Sequence, residues 1–183
     1  MNRRALGGNG HIAMHPDLLA AQKLVYESCR LTCTNLMQEA ESAEYGACTF
    51  EINNHPIKFR TAKITPTKIG QFVTLWKRIG NGPIQPHDIT DKVELFVISV
   101  RNAKFFGQFV FPKNVLHEKG IIAKAGKGGK RAMRVYPPWD KTQSPQAKKT
   151  QAWQVQYFFA IDADKGVDKE RVRGLFGGVS RRS

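Results

Sequence analysis

Ten cationic side chains, Lys113, Lys119, Lys124, Lys127, Lys130, Arg131, Arg134, Lys141, Lys148 and Lys149, share one stretch of chain with only two carboxylates, Glu118 and Asp140. Tyr136, Trp139 and Trp153 are interleaved with them or follow closely, and upstream Trp76 adjoins Lys77 and Arg78. Ammonium and guanidinium groups bind phosphates, an arginine fork can bridge a guanine edge, and Tyr or Trp rings stack on bases. These residue types suit a nucleic-acid contact. The candidates are Lys77, Arg78, Lys113, Lys124, Lys127, Lys130, Arg131, Arg134, Tyr136, Trp139, Lys148 and Lys149. The competing reading is a solvated charged face, with Trp76 and Trp153 in the core and Trp139 anchoring its loop.

Tests for catalytic patterns fail in informative ways. The run Gly126-Lys127-Gly128-Gly129-Lys130-Arg131 resembles a phosphate-binding loop, but Lys124 stands where the Walker spacing needs glycine, and Arg131 where it needs Ser or Thr. His117 and Lys119 open an H-x-K pattern whose aspartate is replaced by Lys124, and Phe96 occupies the lysine place of an E-x-K begun by Glu94. No G-x-S-x-G elbow is present. Cys29, Cys33 and Cys48 fit no disulfide framework; Cys29 and Cys33 have helical spacing but lack further zinc ligands at credible spacing, as do His11 and His15. The sequence therefore leans away from an enzyme, with no cofactor and no metal expected.

The charge distribution agrees. The chain has 183 residues and a formal charge of +14; its first half, to Asp91, carries a net of +2 and the remainder +12. Such a surplus fits a polyanion better than a membrane, because the charges lie in loops and beside strands and not along an amphipathic helix. No apolar run approaches the ~20 residues of a membrane span, and Arg3 and Arg4 precede no apolar signal segment. A cytoplasmic location is the expectation.

The elements that must position these residues follow from periodicity. Phe105 to Phe111 is an apolar, β-prone run, with Gly107 suggesting a bulge, and it stops at Pro112. Lys113 to Lys119 predicts one or two helical turns. A flexible Gly/Lys loop from Lys124 to Arg131 then leads into a second strand, Ala132 to Tyr136, ended by Pro137 and Pro138. Alternation places Arg134 and Tyr136 on one strand face, opposite Met133 and Val135. A guanidinium on a stiff strand is a better specific contact than a lysine on a glycine loop; the alternative is an internal salt bridge to Asp140 or Glu94. Elsewhere the pattern predicts an amphipathic helix, or two joined near Thr32, from Asp17 to Glu39, and a hairpin across Asn53-Asn54. Further strands are expected at Gly70 to Arg78, Val93 to Val100 and Gln154 to Ile161, with a loop from Gly80 to Asp88. A loop or short helix is expected between Trp139 and Trp153, and a terminal helix from Asp168 to Phe176.

Four segments in order, FRTAKITPTKIGQFVTLWKR (Phe59 to Arg78), GQFVFPK (Gly107 to Lys113), RVYPPWD (Arg134 to Asp140) and QAKKTQAWQVQYF (Gln146 to Phe158), resemble the MepB family of bacterial proteins over roughly Glu44 to Phe159. The family is named for a member encoded beside a multidrug efflux pump, and the resemblance implies no established enzymatic activity. The element F-V-F-P-K with its short helix and Ile121-Ile122 is also similar, more distantly, to the B3 and restriction-enzyme effector DNA-binding pseudobarrels.

These observations predict one α+β domain over 17–176, between a tail at 1–16 and a basic tail at 177–183. An N-terminal helical segment packs on a mostly antiparallel, strongly twisted sheet or a seven-stranded pseudobarrel. The expected function is non-enzymatic binding of nucleic acid, DNA before RNA, with no membrane partner. The alternatives are a metal-dependent nuclease or nucleotide-modifying enzyme, or a small-molecule or partner-binding accessory protein linked to drug resistance.

Overall fold

Two strands with no polar face sit at the centre of the molecule. In the computed structural model, which describes residues 14–177, β8 (Leu95–Arg101) and β9 (Phe106–Pro112) pair antiparallel from Leu95 opposite Pro112 to Arg101 opposite Phe106. Alternate residues serve opposite cores: Leu95, Val97 and Val110 enter one, while Phe96, Ile98, Phe109 and Phe111 enter the other. A strand covered on both faces needs this continuous apolar run.

Around this pair, β1 (Cys33–Gln38), β2 (Cys48–Ile52), β3 (His55–Thr61) and β11 (Phe158–Ala160) complete a six-stranded sheet in the order β1-β2-β3-β8-β9-β11. β3 and β8 run parallel and the other neighbours antiparallel. β4 (Lys63–Ile64), β5 (Gln71–Thr74) and β10 (Ala132–Val135) form a second sheet in the order β10-β5-β4, and β6 (Trp76–Arg78) pairs with β7 (Ile84–Pro86). The mixed α+β architecture is as expected. The seven-stranded pseudobarrel is not: the large sheet is open, with β1 and β11 at its edges.

One core lies between the large sheet and α1 (Pro16–Ala21) with its π-helical extension Gln22–Tyr26, closed by α4 (Lys169–Gly177). The Tyr26 hydroxyl donates to Gln108 Oε1 (2.9 Å), and Gln108 Nε2 donates to Ser99 Oγ (3.0 Å), so polar atoms buried between helix and sheet are paired. The second core lies between the other face and the small sheet, with α2 (Lys113–Glu118) and α3 (Pro145–Gln154). The expectations for 1–13 and for 178–183 lie outside the described residues.

Several local expectations are corrected. The helix predicted to reach Glu39 stops earlier: Leu18, Ala21, Val25 and Cys29 hold the helical face, then Arg30 adopts φ 57° and the chain becomes β1 on the edge of β2. Cys29 and Cys33 therefore lie on different elements. Gly107 makes no bulge; it pairs regularly with Val100 and Ala160. Glycine is needed because a Cβ there would lie 2.3 Å from Cζ of Phe158. The strand predicted over Gly70 to Arg78 breaks at Leu75, whose N–H donates to the Arg131 carbonyl (2.8 Å). The loop from Gly80 to Asp88 contains β7. Helix, not strand, continues through Gln154, leaving three residues of the expected strand as β11.

Candidate functional site

The lysine-glycine loop is built as a pinned turn. Lys124 and Lys127 exchange both backbone hydrogen bonds (3.0 Å each), while Ala125, Gly126, Gly128 and Gly129 take positive φ. The Gly126 N–H donates to Asp88 Oδ2 (2.9 Å), and the Lys130 N–H to the Ile121 carbonyl (2.9 Å). The Gly126 and Thr90 N–H groups hold the Asp88 carboxyl below the usual range. So the backbone predicted to be flexible is fastened at both ends, and the side chains of Lys124, Lys127, Lys130 and Arg131 project into solvent.

Beyond the loop, β10 carries Arg134. Met133 and Val135 are buried, and Arg134 and Tyr136 share the open face, as alternation requires. No salt bridge among the described residues holds Arg134. Its Nη1 donates to Thr65 Oγ1 (3.0 Å), to the Gly70 carbonyl (3.0 Å) and weakly to that of Ile69 (3.4 Å). Nε and Nη2 have no partner among the described residues. The two carboxylates that sequence proximity offered are engaged elsewhere: Glu94 with His55 Nδ1 (2.5 Å), and Asp140 with the Gly70 N–H. Burial pushes the Asp140 carboxyl up, opposed by that N–H.

α3 forms the facing wall. Ser144 caps it by accepting from the Ala147 N–H (3.1 Å), and Pro145 follows at the first helical position, where a missing N–H costs nothing. At its other end Gln154, fully buried, accepts from the Tyr136 N–H (2.8 Å) and donates to the Arg134 carbonyl (3.0 Å). The side-chain amide thus acts as a further strand on the free edge of β10.

Between α3 and the small sheet opens a groove of about 520 Å³. Lys68, Lys119, Lys130 and Arg134 line it with no carboxylate, beside Phe72, Tyr136 and Trp153 and the polar side chains of Ser144, Gln146 and Thr150. Lys119 Nζ lies 5.5 Å from the centre of the Trp153 ring. The Tyr136 ring rests on Gly70, where any Cβ would come within 2.7 Å of it. Of the predicted site residues, Lys130, Arg134 and Tyr136 meet here, with Lys124, Lys127 and Arg131 on the adjoining loop.

Other candidates are not brought to the groove. Lys148 and Lys149 are exposed on α3 but lie off the face formed by Gln146, Ala147, Thr150, Trp153 and Gln154. Trp139 stacks on Phe105 (centroids 5.3 Å apart) and meets Phe158 edge-on (5.6 Å), which makes it the anchor of its loop. Lys77 pairs with Asp91, whose carbonyl also accepts from Lys113 Nζ (2.6 Å). Arg78 binds Glu41 (2.8 Å) and the Gly82 carbonyl (2.6 Å). Lys77 and Arg78 line a separate cleft of about 320 Å³ in which Lys58 and Arg60 both meet Glu39. Burial alone would raise the Glu39 carboxyl, but Arg60 and Lys58 outweigh it and hold it low. Sequence reasoning missed Lys68, whose only local signal was its place two residues before Gly70. It counted Lys119 among the basic residues without placing it at the site.

No helix among the described residues is long and apolar enough to cross a membrane. No curated protein matches the chain. Among solved structures, the chain is similar to one described as the crystal structure of MepB, with 34% identity and a TM-score of 0.69 over 80% of this chain and 97% of that one. A bacterial homing endonuclease aligns over 76% of this chain and 86% of its own at 12% identity and a TM-score of 0.40, a likeness that carries no argument. The model of the MepB-like family matches residues 39–160, a span that holds β8, β9, the cationic loop, β10 and α3 with every groove residue named above. On both the sequence match and the fold, the chain belongs to the MepB-like family.

Proposed function

We propose that this protein is a non-enzymatic nucleic-acid-binding protein that engages DNA through the groove between α3 and β10 and the lysine loop beside it. The observation that carries this reading is the charge of the groove: four cations, Lys68, Lys119, Lys130 and Arg134, converge without a carboxylate among its lining residues. Unneutralised cations held near one another are costly unless a polyanion or its counterions share the site, and phosphate contacts release counterions from DNA. Lys124, Lys127 and Arg131 extend the positive surface from the groove onto the loop. The Arg134 fork offers a planar contact that a lysine cannot make.

A mobility-shift titration with duplex and single-stranded probes at several salt concentrations tests the proposal. If roughly six phosphates are neutralised, log K falls with log salt at a slope of about −5. Absence of binding at low salt, or a slope near zero, overturns it.

A further inference from the structure

A duplex can lay its phosphates along the cations of the groove without entering it, and the walls of the groove differ from a simple basic surface. At about 520 Å³ it falls in the range of small-ligand pockets, roughly 300–1,000 Å³. We infer that it receives one unpaired nucleotide, at a strand end or drawn out of the stack, with the phosphate on Arg134 and the base against Tyr136. This rests on the nucleic-acid reading and adds the class of ligand that the groove takes.

Three features carry the inference. First, Arg134 is held by Nη1 alone, through Thr65 Oγ1 and the Gly70 carbonyl (3.0 Å each). Its Nε and Nη2 edge, the pair of donors matched to two phosphate oxygens, is left without a partner among the described residues. The guanidinium is thus fixed in place before any ligand arrives. Second, the Tyr136 ring is seated on Gly70, and no other ring and no cation lies over it among the described residues. Trp153, by contrast, is already covered by Lys119, so it positions a cation and leaves Tyr136 as the platform on which a base can stack. Third, Gln146 and Thr150 project from α3 into the same groove and supply the donors and acceptors that a base edge needs. A purely electrostatic surface for duplex phosphates requires neither the seated ring nor the amide. Gln154 is not a reader of the base, since both ends of its amide are bound to β10.

Calorimetric titration of the full chain at low salt with dTMP, thymidine and inorganic phosphate tests this. The expected result is one dTMP per chain, bound at least about tenfold more tightly than thymidine or phosphate alone. Arg134→Lys, which keeps charge and removes the fork, weakens dTMP by about tenfold, and Tyr136→Leu reduces dTMP to the level of phosphate. Because both residues touch the chain at Gly70, Lys130→Ala provides a variant whose side chain carries no hydrogen bond to any other described residue; it weakens dTMP, whereas Lys127→Ala on the neighbouring loop leaves it unchanged. Equal affinities for dTMP and phosphate overturn the base contact, and equal effects of Lys127→Ala and Lys130→Ala place the ligand outside the groove. If duplex DNA binds with a steep salt dependence while dTMP neither binds nor competes, the unpaired-nucleotide site falls and the nucleic-acid reading stands. If neither binds, both fall.

Discussion

Replacing Gln154 with Leu tests the mooring that gives the groove its shape. β10 is the last strand of its sheet and has a ladder partner on one edge only. Gln154 occupies the other edge, pairing with the Tyr136 N–H at 2.8 Å and the Arg134 carbonyl at 3.0 Å. Leucine has similar volume and good helix propensity, so the substitution removes those two bonds without leaving a cavity or breaking α3. An unpaired buried backbone group costs about 1–3 kcal/mol. Arg134 and Tyr136 border an open groove where water can reach them, so about 1 to 1.5 kcal/mol for each is the appropriate end of that range, and the loss of stability should be about 2–3 kcal/mol. With a urea m-value of about 2 kcal/mol/M, the unfolding midpoint falls by about 1–1.5 M with the slope unchanged. Gln156→Leu, at an exposed position two residues on, should stay within about 0.5 kcal/mol of the parent. Equal midpoints for the two variants would refute the idea that the amide substitutes for a strand.

Gly107→Ala should destabilise by at least about 1–3 kcal/mol in the same assay, because its Cβ would fall 2.3 Å from Phe158 Cζ and 2.6 Å from the Phe159 carbonyl oxygen; a neutral result would contradict the register of β9 with β11. Lys127→Ala together with Lys130→Ala should leave thermal stability within about 0.5 kcal/mol while weakening duplex binding, and a large loss of stability would make these side chains part of the fold. His87 predicts an acid weakness. Burial pushes its imidazole down to about 4, Lys58 and Arg60 act in the same direction, and the Asp91 carboxylate at 3.0 Å opposes them incompletely. The unfolded chain takes up this proton near pH 6.5 and the folded protein refuses it until about pH 4, so stability should fall as pH drops through that window, by about 3 kcal/mol in all. Glu39 and Asp91, whose carboxyls are held low, add their losses at the acid end. Thermal melts between pH 7 and 4.5 check this: a flat profile, or an unchanged profile in His87→Gln, would remove His87 as the cause.

What the sequence disclosed and what it hid divide along the range of the interactions. The apolar runs of β8 and β9, the hairpin of β2 and β3 at Asn53-Asn54, the loop glycines and the outward face of Arg134 and Tyr136 are set by residues a few positions apart. Those were legible. The helix expected over 17–39 failed at Arg30, where the edge of β2 offered the backbone a ladder that a helical pattern does not reveal. Gln154 looked like the start of a strand because it precedes apolar residues, but its amide is bound to a strand twenty positions earlier in the chain. Lys68 and Arg134 face one groove across a far longer separation, with Thr65, Ile69 and Gly70 as the link.

The charge pattern shows best why the fold brings some candidates to the groove and leaves others away from it. Counting along the chain treats each lysine as free, whereas the fold decides which ones meet a carboxylate. The acids of the first half fold back onto cations of the same half: Glu39 onto Lys58 and Arg60, Glu41 onto Arg78, and Asp91 onto Lys77. Among the described residues, the second-half cation that gains a carboxylate is Arg101, from Asp17. The neutralised group includes Lys77 and Arg78, the two candidates taken from the first half because of their neighbour Trp76. Lys119, Lys130 and Arg134 come from the half that carries +12, where acids are too few to reach them. Lys68 is the exception, a first-half cation at the bend before Gly70 that pairs with no carboxylate among the described residues. The positive field of the groove is therefore a remainder left by pairing elsewhere, and a carboxylate introduced at Thr150 would act on it directly. Thr150→Glu should abolish duplex binding at physiological salt while leaving the fold intact, since Thr150 lines the groove on the partly exposed face of α3. Undiminished binding by this folded variant would move the DNA to another face of the protein.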